Sequence, residues 1–330
     1  MAEPPQPAME PLIAGFDAGQ THTTCRLARS ADGHVVGQGE GPGVCHLAAP
    51  GAEAMFRAAL VDSLTAALVA CGQGAGAVKA VAIGASGIEQ GSDVQIRGNA
   101  LASGALGVPA ERVLVCGDER TALRGAFGAA PGIVVISGTG SIAVGRNNQG
   151  REHRCGGWGW LLDGAGSAMD IGRDGLALSL RMADGRHPPS PLLAALWQAL
   201  GVEPQQPGAA QAIKAMVVAD GFGAAGFAAL APLVAEAAAA GDADGQRILQ
   251  ASGQALAAMA AAVARGLQLA GPVPVCAVGG AIRHLPGLAA ALEVSLADVL
   301  PQARLVHPLA DACHGALGMA ADLAANLDLA

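Results

Sequence analysis

Two stretches of the chain share one layout, and that layout limits the folds open to it. Leu12–Gly39 reads as the apolar run Leu12-Ile13-Ala14-Gly15-Phe16, a turn over Asp17-Ala18-Gly19-Gln20-Thr21, a second run to Ala28, a polar turn at Ser30–Gly33, and a return strand over His34–Gly39. The region from Ile133 repeats it: strand Ile133–Ser137, turn Gly138–Ser141, strand Ile142–Arg146, polar turn Asn147–Gly150, and a further strand over Arg151–Arg154. In each copy the apolar run stops at a turn rich in glycine and hydroxyls, where backbone N–H groups can wrap a phosphate. Strands then alternate with helices behind each copy. This predicts an α/β protein of two domains.

The layout also rules out two familiar nucleotide sites. Gly138-Thr139-Gly140-Ser141-Ile142-Ala143 matches G-x-G-x-x-A, but a dinucleotide fingerprint needs a helix to open inside the motif and an acid ~20 residues on. Here β-favouring residues and an Asn-Asn-Gln-Gly turn follow. Lys79 and Lys214 are the only lysines, and neither follows a glycine loop, so there is no P-loop.

Behind the second copy lies Cys155-Gly156-Gly157-Trp158-Gly159-Trp160-Leu161-Leu162-Asp163-Gly164-Ala165-Gly166-Ser167, a glycine-rich loop with two of the chain's three tryptophans. Glycine on both sides of Trp158 is poor chemistry for a core strand, so the loop reads as a wall carrying one acid. Elsewhere, Gly51–Gly72 is a helix by its apolar spacing, Val78–Gly84 a buried strand, and Glu111–Cys116 a strand ending at Gly117-Asp118-Glu119-Arg120 before the helix Thr121–Phe127. An acid just past a strand's C-terminal end lies where largely parallel sheets bind ligands, and Asp118 is also a good helix cap. Helices are expected over Ala168–Met182, Pro191–Leu200, Ala209–Ala219, Gly226–Ala240 and Asp242–Leu269. The strand Pro272–Val278 then meets a third small-residue turn, Gly279-Gly280-Ala281-Ile282. Helix Pro286–Leu300, strand Ala303–Val306 and helix Asp311–Leu327 close the chain.

Composition narrows the function classes. A chain of 330 residues with 52% hydrophobic and 14% charged residues is globular, and no uninterrupted apolar run reaches the ~18 residues of a bilayer span. Net charge is −8 without a basic block, which argues against nucleic acid and anionic membrane as partners. Seven scattered cysteines without a C-x-x-C argue against a disulfide framework or structural zinc, and for a reducing cytoplasm. The Pro-rich, acidic residues 1–11 are expected to be a floppy tail and not a signal peptide.

Taken together, Asp17-Ala18-Gly19-Gln20-Thr21, Ser137-Gly138-Thr139-Gly140-Ser141 and Ala277-Val278-Gly279-Gly280 resemble the phosphate-1, phosphate-2 and adenosine motifs of the actin-like ATPases. Cys155-Gly156-Gly157-Trp158-Gly159 with Leu161–Ser167 is more specific, and resembles the N-acetylglucosamine kinase and BadF/BadG/BcrA/BcrD-type ATPase group. The resemblance runs over nearly the whole chain from Leu12. It implies two actin-like (ribonuclease H-like) domains with a cleft between them: residues 12–130, then 131–330 with a helical insertion over about 168–270, and a last helix able to pack back on the first domain.

The resemblance also implies an ATP-dependent amino-sugar kinase acting on the sugar 6-hydroxyl, with N-acetylglucosamine as the leading substrate. Asp118 would be the catalytic base. Asp17 would hold Mg²⁺. Gly19, Thr21, Gly138, Thr139 and Gly140 would meet the phosphates of ATP, and Gly279 and Gly280 its adenosine. Cys45, His46, Ser141, Gly157, Trp158, Gly159 and Asp163 match sugar-side positions. A homodimer is a family expectation.

Two departures bear on the sugar. Family members usually carry an Asn where this chain has Cys45, and usually read Gly-Asp-Glu-Gly where it has Asp163-Gly164-Ala165-Gly166. Both leave the ATP motifs intact. The alternatives are a glucosamine kinase, a BadF-type ATPase that activates a partner enzyme, and a non-catalytic sugar-binding regulator.

Overall fold

The computed structural model describes residues 10–328, which form two compact units, 10–129 with 308–328, and 130–307. Of the tail expected over 1–11, residues 1–9 lie outside the described residues, and Pro11 already accepts a hydrogen bond from the Ser30 N–H (2.8 Å).

The first unit holds a sheet of order β3-β2-β1-β4-β5, built from β1 (Leu12–Ala18), β2 (His22–Arg29), β3 (Val35–Pro42), β4 (Val78–Ala85) and β5 (Val113–Gly117). The first three are antiparallel neighbours, and β4 and β5 run parallel to β1. Helices α1 (Ala52–Cys71), α2 (Asp93–Leu106), α3 (Asp118–Phe127) and, from the far end of the chain, α12 (Ala312–Asp328) belong to this unit.

Glycine and alanine let these layers approach closely. A Cβ on Gly37, Gly39 or Gly41 of β3 would stand 2.5, 2.3 or 2.7 Å from the carbonyl oxygens of Ala67, Ser63 and Ala59 on α1. The alternate glycines of β3 therefore form a groove for the helix. By length and hydropathy α1 would pass for a membrane span, but it buries Phe56, Leu60, Leu64 and Leu68 against the sheet. On the opposite face Gly15 has Leu317 N 2.4 Å from where its Cβ would be, and Ile13, Ala28, Ala80 and Ala82 pack with Leu317, Ala320 and Ala324 of α12.

The second unit repeats the topology. Its sheet, β8-β7-β6-β9-β10, comprises β6 (Gly132–Ser137), β7 (Ser141–Arg146), β8 (Glu152–Gly156), β9 (Val273–Val278) and β10 (Ala303–Leu305). Again the three leading strands are antiparallel and the later two parallel to the first. Six helices intervene between β8 and β9: α4 (Ala168–Ala183), α5 (Pro191–Ala199), α6 (Ala209–Val218), α7 (Gly223–Ala228), α8 (Ala231–Ala239) and α9 (Ala243–Gly266). Helices α10 (Gly280–His284) and α11 (Leu288–Val299) follow β9. One core joins Ile133 and Val135 of β6 to Trp197, Leu256 and Leu292, with the Trp197 indole N–H donated to Ser179 Oγ (2.8 Å).

Three expectations change in detail. The helix expected over Gly226–Ala240 is two helices, because Pro232 has no N–H to continue a helix and instead occupies the first turn of α8. The strand expected over Arg151–Arg154 runs Glu152–Gly156 and absorbs the start of the tryptophan loop. Helix α2 has no counterpart in the expected elements.

Candidate functional site

In the first unit, Asp17 is the penultimate residue of β1, in register with Gly84 of β4 and Thr24 of β2. The turn beyond it is closed by the Gly19 N–H donating to His22 O (3.1 Å). Gly19 O accepts from the Val44 N–H (2.9 Å), and a Cβ on Gly43 would stand 2.2 Å from Gln20 O. The loop carrying Cys45 and His46 is thereby pressed against the Asp17–Thr21 turn. Cys45 is half-buried with Met55 Sδ 3.8 Å from its sulfur. His46 is exposed, its Nδ1 accepting from the Ala48 N–H (3.1 Å) and its ring lying over Gly87.

Asp118 opens α3 directly after β5, where the unpaired N–H groups of a helix start favour negative charge. Its carbonyl accepts from Thr121 Oγ1 (2.9 Å), and that same hydroxyl lies 2.1 Å from where a Cβ on Gly84 would be. Gly84 therefore lets the first turn of α3 settle onto the strand beside Asp17. Burial pushes the Asp17 carboxyl up to about 6; the negative charges of Asp118 and Asp311 add to the rise, and His22 and Arg26 oppose it. Asp311 is held by two hydrogen bonds from the Arg26 guanidinium (2.5 and 2.7 Å) and accepts the His314 N–H (2.9 Å), capping α12.

Asp118 and Asp311 lie near enough to half-buried Asp17 for their charges to act on it. Magnesium is held by one or two carboxylates together with substrate phosphates, so no all-protein cage is needed. Among the described residues there is no such cage of three or more His, Cys, Asp or Glu side chains.

In the second unit the Gly138–Ser141 turn is tied to the segment after the tryptophan loop. Ser137 Oγ donates to Gly166 O (2.7 Å), Ser141 Oγ to Ala165 O (2.8 Å), and the Ala168 N–H to Gly138 O (2.9 Å). Thr139 and Gly140 are exposed at the tip, and a Cβ on Gly138 or Gly140 would meet open space. Gly279, at φ +109°, lies against Ser137, while Gly280 faces open space. The phosphate-type and adenosine-type turns are thus one packed unit.

The tryptophan loop leaves β8 through Gly156 and Gly157, at φ +78° and +74°, and bends again at Gly159 (φ +85°), all in the left-handed region that favours glycine. Arg154 stacks 5.0 Å from the Trp158 ring centroid and donates to Gly157 O (2.6 Å). Trp158 is nonetheless 61% exposed. Asp163, half-buried, closes a turn by its N–H to Gly159 O (2.8 Å).

The structure thus brings Asp17, Gly19, Thr21, Cys45, His46 and Asp118 together in one unit, and Gly138–Ser141, Gly157–Gly159, Asp163, Gly279 and Gly280 in the other. Sequence reasoning missed Arg26 and Asp311, a pair 285 residues apart in sequence whose charges both act on Asp17, and Gly84. The one local signal for Asp311 is its place just before a helix.

The chain is similar to several known proteins. A segment of 116 residues, 35% of this chain and 37% of the relative, is 38% identical to the N-acetylmuramic acid/N-acetylglucosamine kinase of Clostridium acetobutylicum. Another, of 187 residues, 56% of this chain and 57% of the relative, is 30% identical to the N-acetyl-D-glucosamine kinase of Dictyostelium discoideum. The chain thus matches between about a third and just over half of the length of these curated relatives. A solved structure from Chromobacterium violaceum, provisionally named N-acetylglucosamine kinase, superposes with a TM-score of 0.75 at 30% identity over 95% of this chain and 100% of that one. Residues 14–320 match the BadF/BadG/BcrA/BcrD ATPase family, and the chain belongs to that family.

Proposed function

We propose that the protein is an ATP-dependent amino-sugar kinase that transfers the γ-phosphoryl group to a sugar hydroxyl, with N-acetylglucosamine and glucosamine as the leading acceptors. The observation that carries the reading is the placing of Asp118 at a helix start where its charge acts on Asp17. Phosphoryl transfer needs positioning, charge neutralisation and a carboxylate for the acceptor's proton, and no covalent nucleophile.

In this reading Asp118 accepts the proton of the sugar 6-hydroxyl as its oxygen attacks phosphorus. Asp17 holds Mg²⁺, whose chemistry is to neutralise charge on the phosphate oxygens. The turn through Gly19 and the Thr21 hydroxyl orient phosphates in the first unit. Thr139 with Gly138 and Gly140 does so in the second, and Gly279 and Gly280 leave room for adenosine. Of the sugar-side positions, Cys45 and His46 belong to the first unit, and Ser141, Gly157, Trp158 and Gly159 to the second. Names and shared segments of the relatives support the same reaction class. A cytoplasmic homodimer goes with the proposal.

A coupled ADP-release assay with Mg-ATP tests it, against N-acetylglucosamine, glucosamine, N-acetylmannosamine and glucose. Sugar-dependent ADP release that falls by about 10²–10⁴-fold in Asp118→Asn is the expected result. ADP release indifferent to every sugar would rule the kinase reading out and favour an ATPase that acts on a partner.

A further inference from the structure

Between Gly156 and Gly166 the chain has a single titratable side chain, Asp163. Its Oδ2 lies 3.6 Å from where a Cβ on Gly156 would be, as does the Ser141 carbonyl oxygen, so the carboxylate hangs over the paired ends of β7 and β8. Among the described residues nothing donates a hydrogen bond to this carboxylate, and no cation stands within ion-pair distance of it. Its charge is felt next door: burial first, and then Asp163, raise the Cys155 thiol pKa, against Arg265.

The neighbours cannot satisfy it. Ser141 spends its hydroxyl proton on Ala165 O, and Arg154 points its guanidinium at Gly157 O and the Trp158 ring. Gly164 and Ala165 contribute no polar side chain, and a Cβ on Gly164 would collide with Met169 (2.3 Å).

A half-buried carboxylate without a partner is costly to cover with a neutral ligand, because its water is lost and nothing replaces it. A cationic ligand group removes that cost and adds a charge-assisted hydrogen bond. An acetamide offers one N–H donor, and its carbonyl brings a third oxygen to a site that already has two, Asp163 Oδ2 and Ser141 O. An ammonium offers three donors and the opposite charge. On the reading that this loop lines the acceptor sugar, we propose that Asp163 is a specificity-determining residue that pairs with the free 2-ammonium group of an unacetylated hexosamine, making glucosamine the preferred acceptor.

The test is steady-state kinetics of the full chain with glucosamine, N-acetylglucosamine and glucose, for the parent and for Asp163→Asn. Since the carboxylate has no internal partner, Asp163→Asn is expected to melt within a degree or two of the parent, which a thermal scan checks. The expected result is a kcat/KM for glucosamine at least about tenfold above those for the other two sugars, erased in Asp163→Asn through KM rather than kcat. A merely structural role would lower all three sugars together. The inference is overturned if N-acetylglucosamine or glucose matches glucosamine, or if Asp163→Asn keeps the preference. Either outcome leaves sugar-dependent turnover, and hence the kinase reading, standing. Absence of turnover on every sugar removes both.

Discussion

Gly279 is packed directly onto Ser137: a Cβ at Gly279 would stand 2.3 Å from the Ser137 carbonyl oxygen and 3.0 Å from its nitrogen. The neighbour is strand backbone and cannot rotate away. The residue also sits at φ +109°, where an L side chain is strained. Gly279→Ala is therefore expected to destabilise the second unit by about 2–3 kcal/mol and to raise the KM for ATP, because the Gly138–Ser141 turn must shift with Ser137. Gly280, one residue on, meets nothing within 4 Å, and Gly280→Ala should keep the parent's stability. Urea unfolding of both variants beside ATP titrations separates the two. Equal stability would mean that the turns are not fused.

Asp17 gives the fold a pH dependence of definite sign. Its carboxyl is raised from 3.8 to about 6, so the folded state holds this proton more tightly than the unfolded chain does. Stability contributed by the protonated form is full below about pH 4 and is lost as pH rises through 6. At about 1.4 kcal/mol per pH unit the upper limit of the loss is about 3 kcal/mol. Asp17→Asn removes the charge and should be more stable than the parent at pH 7.5, with the gap closing by pH 4. Adding Mg²⁺ with ATP should stabilise the parent and leave the variant behind. Denaturant midpoints at the two pH values measure this, and a gap that stays constant would contradict it.

What the sequence made legible is what is local. The hairpin-led halves showed because strand periodicity and turn glycines are written within about ten residues, and both sheets have the expected leading strands. Asp118 showed because it follows a strand and opens a helix. Helix α2 did not, because its buried face includes Gln95 and Gly98 beside Leu101, Ala102 and Leu106, so the apolar period is broken. Side chains hold it instead: Gln95 Nε2 donates to Val115 O (2.8 Å), and Asn99 Oδ1 accepts the Val115 N–H (2.8 Å). The groove of Gly37, Gly39 and Gly41 was present as a period-two pattern, but its meaning depends on the helix laid into it. The field on Asp17 comes partly from Asp311 and Arg26, a pairing no local pattern records.

That long-range pair can be tested by itself. Asp311 caps α12 through the His314 N–H and takes both Arg26 hydrogen bonds. Its side chain is 55% exposed, so the ion pair alone contributes at most about 1 kcal/mol, and the cap about 1 kcal/mol. Asp311→Asn keeps the cap and loses the pair; Asp311→Ala loses both. Losses of stability of about 0.5–1 and about 1.5–2 kcal/mol are expected, the first shrinking in high salt. Identical losses in the two variants would show that the cap contributes nothing.

Gly84 links strand packing to the candidate base. An alanine there would put its Cβ 2.1 Å from Thr121 Oγ1 and 2.7 Å from Thr121 Cγ2, so the first turn of α3 must lift, and Asp118 with it. A misplacement on the order of 1 Å costs about 10²-fold in rate when the group must meet a reacting atom. Gly84→Ala should therefore lower kcat about 10²-fold. Combining it with Thr121→Ala removes the two closest atoms and leaves Thr121 Cβ at 2.9 Å, so part of kcat should return. Steady-state kinetics on the single and double variants decide the matter. If the second substitution restores nothing, the loss comes from the strand itself and not from the seating of α3, and Asp118 is not positioned through Thr121.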